Sequence, residues 1–251
     1  MLLAAAVFFF ISGFFVARFP VKPELAWVSS IFVLIMALPS YVALCKWLGI
    51  KRGVLLLLAL AVYAVCVEYV AVKTGLPYGE FQHFDKIGYR LFDTVPWTVP
   101  FAWSPLILAS YALAFRFVGA RRAPVLFLMS GLVLVAIDLL LDPGTVAQKF
   151  WLYSHSGILN FPPLSWRFYD VPLSNFLGWL LSGFFASWVL WKVLPEDKRR
   201  VLPPRGLMSS AFLVVVFWMS ACLWMQLWLP ALVGLALVVL FIPPLFFADS
   251  S

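Results

Sequence analysis

From Leu2 to Phe247 the chain is largely a succession of apolar stretches, each about twenty residues long, separated by polar breaks of which two are long. Twenty apolar residues coiled as a helix rise about 30 Å, the thickness of the hydrocarbon core of a bilayer. Seven such stretches read as helices, at about 2–17, 24–45, 53–72, 97–118, 123–141, 173–193 and 207–228. Pro230 then breaks the run, and 231–247 reads as a short eighth. The fold class expected is all-α, a polytopic membrane helix bundle with seven or eight transmembrane helices. It forms a single domain over residues 1–251, with a motif-bearing core at about 53–193.

Composition points the same way. The chain is 64% hydrophobic and 12% charged, with a mean hydropathy of +1.00. A soluble domain carries about 25% charged residues, and no length is left over for one. The first stretch lacks a basic start and a small-residue cleavage site, so it reads as a first membrane helix rather than a removed signal. The net charge of +7 does not point to nucleic acid, because the basic residues sit in short loops between apolar runs. Cys45, Cys66 and Cys222 are scattered through apolar runs without metal spacing and read as small core residues.

Loop charge gives an orientation. The loops at 46–52, 116–122 and 192–205 together hold eleven Lys and Arg, and those at 18–23, 73–96 and 142–172 hold seven. The positive-inside rule places the first set, and with it the N-terminus, in the cytoplasm. Both long loops, 73–96 and 142–172, then fall together on the non-cytoplasmic side of the cell membrane. Glu68, Asp138 and Asp142 reach a similar depth beneath them. With Glu80, Asp85, Asp93 and Asp170 in the loops, seven of the eleven acids gather at one face.

Asp138 and Asp142 are four residues apart, so on a helix they share one face at a separation of about 6 Å. A charge at membrane depth costs about 2.5–3.5 kcal/mol on insertion scales, so a pair with Glu68 nearby needs a reason. Carboxyls crowded in a low-dielectric site hold protons that exposed ones release, which equips one as a general acid and another as a cation stabiliser or water-orienting base. The plain structural alternatives are pairing with Arg90, Lys149 or Arg167, and, for Asp142 before Pro143, simple helix termination. Asn175, at the start of the sixth helix, either caps that helix or holds an acid or a water in place. The turn Gly75-Leu76-Pro77-Tyr78-Gly79 is expected to set Tyr78 and Phe81 over the mouth of the bundle. Trp151, Tyr153, Trp166 and Tyr169 in the second loop are belt aromatics or line a groove for a long apolar ligand. His83 and His155 lie in different loops without ligand spacing, so no metal site is indicated. No dinucleotide or phosphate-loop motif is present to call for a nucleotide cofactor.

At these residues the chain resembles the CruF-type carotenoid hydratases, membrane proteins of carotenoid biosynthesis. One block is Glu68, Thr74-Gly75-Leu76-Pro77-Tyr78-Gly79, Gly88 and Val95-Pro96-Trp97, with Pro100 and Trp103. The other is Asp138, Asp142-Pro143, Trp151, Gly157 and Pro172-x-x-Asn175-Phe176-x-Gly178-Trp179. Together they span about residues 63–180. The segment 158–170 departs from the compact aromatic-glycine turn expected of such proteins. The resemblance implies addition of water to a terminal double bond of an acyclic carotenoid, in archaeal relatives within the bacterioruberin pathway. It implies no redox cofactor and no metal. Glu68, Asp138, Asp142 and Asn175 would then be the catalytic group. Tyr78, Phe81, Trp97, Trp103, Trp151, Phe176 and Trp179 would bind substrate, with Trp97 or Trp179 lending cation–π stabilisation. Carotenoid, lipid bilayer and other membrane enzymes of the pathway are the expected partners. Water would come through an opening on the non-cytoplasmic face. Two other readings stay open: a prenyl-transferring enzyme using Asp138-x-x-x-Asp142 to hold magnesium, and a proton-coupled transporter.

Overall fold

The computed structural model describes residues 1–19, 22–84 and 88–247; Asp85, among the loop acids above, lies outside them. Among the described residues there are eight α-helices: α1 (Leu2–Arg18), α2 (Ala26–Leu48), α3 (Ile50–Thr74), α4 (Val99–Val118), α5 (Ala123–Ala147), α6 (Leu173–Val193), α7 (Ser209–Trp224) and α8 (Trp228–Phe246). Seven of them, counting the short turns Pro23–Leu25 and Arg205–Met208 with the helices they lead into, are long and apolar enough to cross a membrane. The chain is a polytopic helical membrane protein. α1 is apolar but shorter, at 17 residues.

α4 is the hub. It packs against α2, α3, α5, α6 and α7, and every residue from Trp103 to Phe115 is buried. One of its serines finds partners inside the bundle: Ser104 Oγ lies 2.6 Å from Tyr41 Oη of α2 and donates to the Pro100 carbonyl. The helix pairing that shapes the site is α5 with α6. A Cβ on Gly183 would stand 2.9 Å from the Gly131 Cα, and one on Gly131 would stand 2.7 Å from the Leu180 carbonyl oxygen. Only hydrogen in place of a side chain lets the two backbones approach so closely.

Several boundaries differ from the sequence expectation, three of them in ways that matter here. α5 does not end at Pro143 but runs four residues further, to Ala147. A proline near the last turn removes one N–H, and Thr145 Oγ1 bonds back to the carbonyls of Leu141 and Asp142 across the weakened stretch. Asp142 therefore stands inside the helix and is not its terminator. α7 ends at Trp224, where Gln226 takes a left-handed φ of 62°, so the break precedes Pro230 and Pro230 lies in the first turn of α8. α3 starts at Ile50 rather than about 53.

The two long loops meet. β1 (Phe81–His83) pairs antiparallel with β4 (Trp151–Tyr153), Phe81 opposite Tyr153 and His83 opposite Trp151. β2 (Arg90–Leu91) pairs with β3 (Val95–Pro96), and β5 (Arg167–Phe168) with β6 (Val171–Pro172). Alternation along β1 turns Phe81 and His83 to one face and Gln82 to the other. The Thr74–Gly79 stretch does not stand over the bundle. Gly75, at a φ of 74°, ends α3, and Tyr78 is driven inward until its hydroxyl meets Ser182 Oγ of α6 at 2.6 Å. Gly178 admits it: a Cβ there would lie 2.4 Å from the Tyr78 ring.

Candidate active site

α5 carries Asp138 and Asp142 toward the β1–β4 ribbon one turn apart, and α6 brings Asn175 against both. Asn175 Nδ2 donates to Asp138 Oδ2 at 2.8 Å and to Asp142 Oδ2 at 2.7 Å. Asn175 can turn inward because its helix is capped by other groups. The first amides of α6, Leu173 and Ser174, donate to the Trp166 and Leu164 carbonyls. These carbonyls belong to the segment 158–170, so the stretch that departs from the expected turn serves to start α6. From the ribbon, Tyr153 Oη lies 2.7 Å from Asp142 Oδ2 and 2.9 Å from Asn175 Oδ1. Asp138, Asp142 and Asn175 are buried, and Tyr153 is half-buried beside them.

A count of hydrogens constrains this network. Four short distances join Asp138, Asp142, Asn175 and Tyr153. The Asn175 amide supplies two hydrogens and Tyr153 one. Burial, with the Asp142 and Asp138 charges next in weight, pushes the Tyr153 phenol well above its ordinary value, so it keeps its hydrogen. Tyr153 Oη can donate to Asp142 or to Asn175 Oδ1, but not to both. The fourth hydrogen has to sit on a carboxyl, and turning the amide over only raises the number required. The geometry is therefore complete when the aspartate pair holds one proton.

The third acid arrives from another wall. Glu68 of α3 is buried, and its Oε1 lies 3.2 Å from His83 Nε2 of β1. His83 Nδ1 is buried without a partner among the described residues. Both pairs line one cavity of about 710 Å³. Beside the acids its wall is Tyr78, Phe81, Trp103, Trp151 and Trp179, and further along it is built from side chains of α1, α2 and α7. Trp103 and Trp179 lie ring against ring at 4.5 Å, and Tyr78 leans on both. Burial pushes the Tyr78 phenol well above its ordinary value, so it too is a neutral donor.

The structure thus brings Glu68, Asp138, Asp142 and Asn175 together, with Tyr78, Phe81, Trp103, Trp151 and Trp179 on the same cavity wall. Trp97 and Phe176 are placed elsewhere. Trp97 precedes α4 and packs edge-on against Phe101. Phe176 is one residue, about 100° of helix, past Asn175, and points to a separate cluster with Val146 and Val171. Arg167, considered as a partner for the acids, instead donates to the Asp170 and Ser154 carbonyls, and burial lowers its pKa. The acids lie beneath the ribbon, not at an open face. Sequence reasoning did not place His83 and Tyr153 in the site. Their signal is the alternation Phe81-x-His83 and Trp151-x-Tyr153, aromatic or imidazole at every second residue. His155 is exposed and does not line the cavity. Among the described residues no three His, Cys, Asp or Glu side chains are grouped to hold a metal ion.

The fold and site define a class: a multi-pass helical membrane protein with a buried carboxyl cluster on a large, mostly apolar cavity. A family model described as carotenoid biosynthesis protein matches residues 26–241, and the chain belongs to that family. It is also 39% identical over 138 residues to a protein of Haloarcula japonica named bisanhydrobacterioruberin hydratase, a match covering 54% of this chain and 44% of that protein. The chain thus matches less than half the length of that relative. No solved structure matches.

Proposed function

We propose that this protein is a carotenoid hydratase that adds water to a terminal double bond of an acyclic carotenoid end group. The observation that carries the reading is a buried aspartate pair whose hydrogen bonds close only with one carboxyl proton, set on an otherwise apolar cavity. The family and the name of the Haloarcula japonica relative support the substrate class.

The chemistry fits these groups. A trisubstituted alkene is a weak base, and protonating it takes a carboxylic acid held neutral at close range. The Asp138–Asp142 pair delivers its proton to the less substituted alkene carbon, and the π electrons form that C–H bond. The resulting tertiary cation is faced by the carboxylate left behind and by the ring of Trp179. A water held by Glu68 and His83 adds its oxygen to the cation, and the proton it sheds passes to Glu68. Return of that proton to the aspartate pair resets the site, and the net change is alkene plus water to tertiary alcohol. Asn175 and Tyr153 keep the aspartates in register. No redox step occurs in this scheme, and no metal or cofactor takes part. The basic loops favour an orientation with the N-terminus in the cytoplasm and the ribbon on the other side.

The test is expression in cells that make lycopene or the dehydrated precursor of bacterioruberin. The expected product has gained the mass of one water for each end hydrated. Asp138→Asn and Glu68→Gln are each expected to abolish the gain while the protein still inserts. Near-normal conversion by either variant removes that residue from the mechanism, and no gain in the unaltered protein removes the function. The prenyl-transferring reading predicts activity lost to excess chelator, but the Asp138-x-x-x-Asp142 pair is already occupied by an amide and a phenol.

A further inference from the structure

The cavity wall contains side chains that are also on the outside of the molecule. Phe8, Ile11, Ser12, Phe15, Val16 and Phe19 line it. Their spacing of three and four residues puts them on one stripe of α1. Phe8, Ile11, Phe15 and Phe19 are each more than half exposed. A residue that both lines a cavity and faces outward marks its mouth. Ile11 is near the middle of Leu2–Arg18, so this mouth opens at the depth of the hydrocarbon core, not at the aqueous face.

The way α1 is held explains the gap. Its other face is clamped to α7: a Cβ on Gly13 would meet the Phe217 carbonyl oxygen at 2.5 Å, and Ser220 Oγ donates to the Phe10 carbonyl at 2.6 Å. α1 packs mainly on α7, while α2 packs on α3, α4 and α7. The seam between α1 and α2 is crossed by rings, Phe32 stacking on Phe8 at 6.1 Å and meeting Phe9 edge-on at 5.9 Å. Rings on rotatable side chains can swing aside without breaking a backbone hydrogen bond. At the other end of the cavity Glu68, Asp138, Asp142 and Asn175 are buried under the ribbon.

We infer that the α1–α2 seam is a lateral portal, and that the unreacted polyene tail of the substrate lies in it and runs out into the bilayer while the end group sits at the carboxyls. What is available at that depth is hydrocarbon dissolved in lipid, and the aromatic lining suits a conjugated chain. A chain longer than the cavity is accommodated because the portal does not close behind it. The choice of a polyene as occupant rests on the hydratase reading; the portal itself rests on the position of α1.

Ile11→Trp fills the seam from its exposed side. Val7→Trp, on the outward face of α1 and away from the cavity, is the control for insertion and folding. Two measurements are made on purified protein: polyene absorbance retained after incubation with the long carotenoid, and hydration of that carotenoid against a short acyclic alkene with the same end group. Ile11→Trp is expected to lower retention and long-chain hydration by about tenfold or more, the scale of steric overpacking, and to leave short-chain hydration within about twofold. Val7→Trp is expected to change neither. Retention that falls in Ile11→Trp alone, in a protein that hydrates nothing, upholds the portal and removes the hydratase reading. Unchanged retention and long-chain conversion in Ile11→Trp, equal loss on both substrates, or no polyene retained by the unaltered protein overturns the portal.

Discussion

At the scale of residues, Tyr153 and Asn175 decide what the aspartates can do. Asn175 is the shared donor, and its replacement by Asp would set a third carboxyl against two already short of hydrogens. Asn175→Asp is expected to lose activity by about a hundredfold or more, within the range of acid–base contributions, measured as initial rate of hydration in membranes. Tyr153→Phe removes one hydrogen bond to Asp142 and keeps the ring packing on Phe81. Its rate is expected to fall by roughly ten- to a hundredfold, with the amount of inserted protein unchanged. The two buried phenols also set an alkaline limit. Their folded-state pKa values lie above the ordinary 10.0, so above that value the unfolded chain sheds protons that the native state keeps. Their contribution to native stability is then full below about pH 10 and declines as pH rises further. Thermal unfolding in detergent is expected to show a further drop in melting temperature at the alkaline end, above about pH 10. Of this site, the acids were legible because a carboxyl inside an apolar run stands out. His83 and Tyr153 were not, because their burial depends on two loops pairing seventy residues apart, and strands of three residues leave little trace in a sequence.

At the scale of elements, the bundle was read largely from its apolar runs, and the departures have local causes. Pro143 marks a helix end by its own preference, yet α5 continues because Thr145 Oγ1 and the bonds to Asp142 hold the turn. Phe176 and Trp97 are aromatic neighbours of motif residues, but helix phase, not adjacency, decides which side chains reach a cavity. The glycines carry information that a hydropathy reading passes over. Gly131 and Gly183 set the spacing of α5 and α6, and with it the reach from Asn175 to the aspartates. Gly183→Val is expected to destabilise the protein by about 1–3 kcal/mol through overpacking and to lower activity further than that loss of folded protein explains. Gly178→Ala should act in the same direction by displacing the Tyr78 ring. Size-exclusion profiles after graded heating, beside rates per folded molecule, separate the two effects.

At the scale of the whole molecule, α4 holds the interior, the ribbon covers one end of the cavity, and α1 packs mainly on α7 and meets α2 through rings. For the proposed hydration, the covered end and the proposed portal impose an order. A long molecule with two equivalent ends presents only one of them to the carboxyls at a time, and the other end is then out in the lipid. The two additions have to be separate visits, with release, reorientation and recapture between them. A time course with limiting enzyme should therefore show the singly hydrated compound rising first and the doubly hydrated one following after a lag. Diluting the enzyme should lengthen that lag in proportion. Any partner in the membrane that prefers an asymmetric carotenoid would find its substrate in that interval, free in the bilayer and finished at one end only.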